Sequence, residues 1–142
     1  MKHSVLSPRP ALLFTLLLAA ALLAGCAGGE AGKGSAMKKS YKQISQAEAA
    51  KMMARDGGCV ILDVRTREEY DAGHIPGAVL LLGETIGRDK PALLPDTGQI
   101  ILVYCRSGNR SKQAAQKLAD MGYRNVYEFG GINTWKGEIV RE

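Results

Sequence analysis

The chain has 142 residues, with 19 Lys and Arg against 14 Asp and Glu, a formal net charge of +5. No basic cluster with interleaved aromatics accompanies that excess, which argues against a nucleic-acid-binding surface. Three cysteines are too few for a disulfide framework.

Lys2 and Arg9 precede an apolar stretch at 11–24 that ends in Leu23-Ala24-Gly25-Cys26. A stretch of fourteen residues, apolar but for Thr15, falls short of the roughly 20 that span a bilayer, so residues 1–25 read as an export signal rather than a transmembrane helix. Its loss with Lys2 and Arg9 leaves 17 basic against 14 acidic residues. Leu-Ala-Gly-Cys resembles the lipobox of bacterial lipoproteins, which implies a lipidated Cys26 as mature N-terminus and a protein held in the cell envelope, on the periplasmic face of a membrane or the outer surface of a single-membrane cell. The alternative is an ordinary secretory signal cut nearby. Residues 27–40 are Gly, Ala, Ser and Lys apart from Glu30 and Met37, with little to bury, a flexible tether reaching roughly 20 Å. Lys33, Lys38 and Lys39 are solvated tether charges or a weak lean on anionic lipid.

Residues 41–142 suit one small domain with a single core. A short edge strand is expected at 41–44, then a helix from the capping box Ser45 to Glu48 through about Arg55, ended by Asp56-Gly57-Gly58. Residues 60–64 read as a buried strand headed by Cys59, a small structural thiol. Thr66 to Glu69 is a second capping box opening a short helix, and Gly73-His74-Ile75-Pro76-Gly77 forces a turn. Residues 78–82 form another apolar strand, whereas 83–98, with Gly and Pro and no clean period, read as irregular. The β-branched run 100–104 is a buried parallel strand, followed by a loop and a helix at 112–121 capped by Ser111 and closed by Gly122. A strand at 126–129, a break at Gly130-Gly131 and one helical turn at 132–135 that packs Trp135 into the core complete the pattern. Strands alternating with helices give α/β, a small, mostly parallel central sheet flanked by helices.

The segment Cys105-Arg106-Ser107-Gly108-Asn109-Arg110-Ser111 joins a buried strand to a helix. It therefore places Cys105 at the sheet edge where open α/β folds bind ligands. Backbone amides at a helix start and in a Gly-containing loop converge on an anion, and two guanidinium groups add positive charge. Such surroundings lower a thiol's pKa from roughly 8.5 and make a nucleophile.

Three strings now read together: Leu62-Asp63-Val64-Arg65-Thr66-Arg67-Glu68-Glu69-Tyr70, then Gly73-His74-Ile75-Pro76-Gly77-Ala78, and Tyr104-Cys105-Arg106-Ser107-Gly108-Asn109-Arg110-Ser111. Their order and spacing resemble the single-domain rhodanese (sulfurtransferase) family, a likeness that runs on through Gly130-Gly131 and Trp135. The resemblance implies that Cys105 carries sulfur as a persulfide, taken from thiosulfate or another sulfane donor and passed to cyanide or a thiol. It implies an anion site made by Arg106, Ser107, Gly108, Asn109, Arg110 and Ser111. The lesser alternative for Arg106 is a plain surface arginine, whereas Ser107 and Asn109 can equally shape the loop. Asp63 and Arg65 match the family's acidic and basic pair, read as bracing the loops, and His74 as a satisfied turn residue rather than a base. No cofactor and no metal enters the reading. Only four residues separate Cys105 from Arg110, where related cysteine phosphatases and arsenate reductases carry five. That disfavours phosphatase or arsenate reductase chemistry, while a sulfur relay or redox-sensing binding module stays open. So does a bond between Cys59 and Cys105.

Overall fold

The computed structural model describes residues 39–55 and 57–141. The signal at 1–25, Cys26 and the tether through residue 38 lie outside the described residues. Within them, no helix is long and apolar enough to cross a membrane.

Among the described residues nine elements follow one another: β1 (Lys42–Gln43), α1 (Gln46–Arg55), β2 (Cys59–Asp63), α2 (Arg67–Asp71), β3 (Ala78–Leu80), β4 (Ile100–Cys105), α3 (Asn109–Asp120), β5 (Asn125–Gly131) and a 3-10 turn (Ile132–Thr134). The five strands form one parallel sheet in the order β1-β5-β4-β2-β3. This is the α/β architecture expected from the alternation of strands and helices, and the expected edge strand at 41–44 does lie at an edge, reduced to two residues. β4 sits centrally because it is apolar on both faces, as a strand covered twice must be.

Alternation along β4 sorts the core. Ile101, Val103 and Cys105 point to the face covered by α3, where they meet Leu62, Ala114, Ala115, Leu118 and Val126. Leu102 and Tyr104 point the other way, toward Ala49 of α1 and Tyr70 of α2. Residues 83–98 contain no helix or strand, yet their Ile86 and Leu94 are buried on the α3 face. Tyr123 fastens this segment by donating its hydroxyl to the Leu94 carbonyl at 2.6 Å.

Two expectations are corrected here and one open alternative is closed. The helix after the Cys105 loop begins at Asn109, with Gly108 as its N-cap at φ 101° and no side-chain cap. Ser111 is therefore a residue of the first turn rather than the cap. A left-handed glycine turns the chain early enough to bring residues 109–111 into the helix. Trp135 is half-buried, packed on Phe129 with ring centroids 5.8 Å apart, rather than sunk in the core. Finally, Cys59 faces the α1 and α2 side while Cys105 faces α3, and the register pairs Cys59 with Ile100. Five residues of strand put the two sulfurs' backbones roughly 16 Å apart, far beyond the roughly 7 Å limit for a disulfide.

Candidate active site

Two strand-loop-helix units carry the expected site residues, and both open at the C-terminal edge of the sheet. In the first, Asp63 ends β2 and is fully buried, and Arg65 reaches back to it with Nε at 2.9 Å and Nη2 at 2.6 Å. Arg65 also donates to the Gly73 carbonyl at 2.8 Å, tying the loop after β2 to the turn before β3. The backbone N–H of Arg65 donates to the same carboxylate at 3.0 Å. The two residues are spent on each other and on the loops they join. His74 is buried in that turn, its ring stacked on Tyr70 at 3.7 Å and its Nδ1 at 3.0 Å from the Tyr70 carbonyl.

In the second unit, Cys105 ends β4 with 1% of its surface exposed. The Gly108 N–H donates to its sulfur at 3.1 Å. Burial pushes the thiol's pKa up, but the Ser111 hydroxyl and the backbone N–H groups of Ser111, Gly108 and Ser107 outweigh it, and the net shift is downward. These are the orphan donors of the first turn of α3, which a helix start offers to any anion in reach. The arrangement favours the thiolate, the nucleophilic form of cysteine.

Close packing makes the loop possible. At Gly131 a Cβ atom would collide with the Arg106 carbonyl oxygen, so only glycine lets the loop rest against β5. The Asn133 N–H donates to that same carbonyl at 3.2 Å. β5 also bulges here, since Val103 pairs with Glu128 but Cys105 pairs with Gly131. The extra residue re-aims the strand end toward the loop.

The remaining expected residues divide. Arg106, Ser107 and Asn109 are exposed, Gly108 is buried against the sulfur, and Ser111 is fully buried. Arg110, 40% exposed, gives both terminal nitrogens to Glu69 of α2 at 2.7 and 2.8 Å. Its guanidinium, expected at the anion site, is engaged with this carboxylate of the protein. That pairing holds the Glu69 carboxyl down to about 2, against the cost of its partial burial. A cavity of about 440 Å³ opens beside Arg110, walled by Arg67, Glu68, Gln113 and Lys117 among others; Cys105 is not part of its wall.

Sequence reasoning missed Glu128. It lies on β5 with 1% of its surface exposed, and its carboxylate accepts from the Ser111 hydroxyl at 2.7 Å and the Gly130 N–H at 2.8 Å. A signal existed: period-two alternation puts residue 128 on the same face as the core residue Val126.

The fold and site thus define an α/β protein that presents a cysteine at a strand end to the amides of the following helix. Residues 45–138 match the rhodanese-like domain family, and the chain belongs to it. It is 36% identical over 104 residues to the thiosulfate sulfurtransferase GlpE of Coxiella burnetii, covering 68% of this chain and 88% of the relative. It is 39% identical over 93 residues to the adenylyltransferase and sulfurtransferase UBA4 of Meyerozyma guilliermondii, covering 60% of this chain but only 22% of that much longer relative. Among solved structures, a rhodanese-like domain protein of Staphylococcus aureus superposes with a TM-score of 0.61 at 30% identity, over 71% of this chain and 98% of its own.

Proposed function

We propose that this chain is a sulfurtransferase that moves sulfane sulfur through a Cys105 persulfide, working at the cell envelope of a bacterium. The observation that carries the reading is the sulfur of Cys105 beneath the N–H of Gly108, with its thiol shifted toward the ionised form. The family membership and the names of the relatives support it. Leu23-Ala24-Gly25-Cys26 supports export and lipid anchoring, with Cys26 as the lipidated residue.

In the first half-reaction the Cys105 thiolate attacks the outer sulfur of thiosulfate, or of a persulfide donor. A new S–S bond forms, the donor's S–S bond breaks, and sulfite or a thiolate leaves with the electron pair. The amides of Ser107, Gly108 and Ser111 remain aimed at sulfur while negative charge moves outward by one atom. Exposed Arg106 and Arg110, preset by Glu69, give the anion a cationic approach. In the second half-reaction cyanide or a thiol attacks the outer sulfur and Cys105 departs as thiolate. Kinetics are ping-pong.

The test uses cells expressing the full chain. Thiosulfate and cyanide yield thiocyanate in the membrane fraction, and Cys105→Ser lowers the rate at least about 1000-fold. Full activity in Cys105→Ser, or turnover of an aryl phosphate with none of thiosulfate, overturns the chemistry. Activity confined to the soluble fraction overturns the anchoring.

A further inference from the structure

The cavity beside Arg110 is lined by groups that the chemistry at Cys105 leaves unused. Arg110, Gln113, Ala114 and Lys117 recur at intervals of three and four along α3, so one face of that helix forms a wall. At 1.5 Å per residue the wall runs roughly 10 Å from the Cys105 loop to Lys117. Val64 and Leu82 add apolar surface. Val64 also marks the end nearest the nucleophile, since its N–H donates at 3.1 Å to the carbonyl of Tyr104, the residue before Cys105.

Charges of both signs line the cleft. Its arginines nearest the loops are paired, Arg110 with Glu69 and Arg65 with Asp63. Farther along, Lys117 makes one long hydrogen bond, to the Gly83 carbonyl at 3.5 Å, and Glu84 lines the same cleft. Both are exposed, and among the described residues neither takes part in an ion pair. Arg67 is held only by an exposed pair with Asp71 at 3.6 Å. A bare dianion such as thiosulfate gains from Lys117 and Arg67 but is repelled by Glu68 and Glu84 of the same walls. A molecule carrying both charges finds a partner for each. The volume of about 440 Å³ is that of a small-molecule site, and three extended peptide units span roughly the 10 Å of the wall.

We propose that this cleft binds the thiol that takes sulfur from Cys105, and that this acceptor is a peptide-like thiol of about tripeptide size carrying both carboxylate and ammonium groups. The inference rests on the sulfur-transfer reading and names its acceptor class. Lys117 and Arg67 take the carboxylates, Glu84 takes the ammonium, and the apolar surface of Val64, Leu82 and Ala114 takes the methylene groups. The acceptor's sulfur then lies toward the loop end. Its thiol gives its proton to solvent and the thiolate attacks the outer sulfur of the Cys105 persulfide. A new S–S bond forms, the bond from that sulfur to Cys105 breaks, and Cys105 keeps the electron pair as thiolate. The acceptor leaves as a persulfide, and no other reactant is needed.

The test measures binding of S-methylglutathione, a tripeptide thioether that cannot accept sulfur, to the full chain carrying Cys105→Ser, by isothermal titration calorimetry in detergent. Saturable binding is expected, and Lys117→Glu and Glu84→Lys should each weaken it at least about tenfold through loss of one charge-assisted contact. Circular dichroism checks the fold of each variant. Should a charge reversal not fold, Lys117→Gln and Glu84→Gln make the same comparison with losses in the same direction. No binding, binding that neither substitution weakens, or thiosulfate binding as tightly with the same losses overturns the proposal. Cys105→Ser transfers no sulfur, so failure of the cleft is read separately from failure of the thiocyanate assay.

Discussion

The two strand-loop-helix units that meet at the sheet edge solve the same problem in opposite ways. After β2, the start of α2 is closed by its own side chains: Thr66 Oγ1 accepts from the Glu69 N–H and Glu69 returns to the Thr66 N–H, the full capping box. After β4, the start of α3 has no side-chain cap, and its amides turn on the sulfur of Cys105. A helix start that satisfies itself makes a brace; one left open makes an anion site. The open unit holds Cys105, and the closed unit reaches it by lending Glu69 to Arg110.

Breaking the closed unit costs the most stability. Asp63→Ala leaves the Arg65 guanidinium buried without its carboxylate and releases the Arg65 N–H as well. Removal of one partner from a buried pair typically destabilises by about 3–5 kcal/mol. Urea unfolding measures the loss, and folded protein at low urea still alkylates at Cys105 at close to the wild-type rate. A loss under about 1 kcal/mol would show that the pair is not what holds these loops.

Breaking the open unit shifts the damage from stability to reactivity. Gly108 has φ 101°, a left-handed conformation that costs an L-residue about 1–2 kcal/mol. A Cβ there would meet nothing nearer than Gly130 Cα at 3.5 Å, so strain rather than collision is the cause. Gly108→Ala relieves the strain by rotating the amide away from Cys105. One lost charge-assisted hydrogen bond corresponds to about a tenfold slower reaction with iodoacetamide at neutral pH. An unchanged rate would mean that this amide contributes nothing to the thiolate.

The same contrast explains what could be read from sequence. Thr66 with Glu69 was legible because a capping box is a side-chain rule, and Cys105 because a cysteine between an apolar run and a helix is a local pattern. The α/β alternation and the family strings were legible for the same reason. Ser111 misled because the rule for caps looks for a hydroxyl, whereas here a glycine turns the backbone and the hydroxyl is diverted to Glu128. Glu69 was read for one partner and has two, its second being Arg110 from a residue 41 positions away. Ile86 and Leu94 belong to a segment with no period, so nothing local marks them as core. Long-range partners of this kind are set by the register of the sheet, not by spacing along the chain.

The link between the units gives the smallest effect and a defined pH window. Glu69 has its pKa held down to about 2 in the folded chain, with Arg110 the main cause, against an ordinary value of 4.5. A carboxyl with a depressed folded pKa binds fewer protons folded than unfolded in that interval. Its stabilisation is therefore complete above about pH 5 and is lost as pH falls toward 2. Arg110 is 40% exposed, so solvent screening trims the pair to about 1 kcal/mol. Glu69→Gln should unfold more easily than wild type at neutral pH by that amount, and urea midpoints for the two should converge as pH drops from 5 to 2. Parallel curves across the window would mean that the ion pair adds no stability and that Arg110 is held by something other than Glu69.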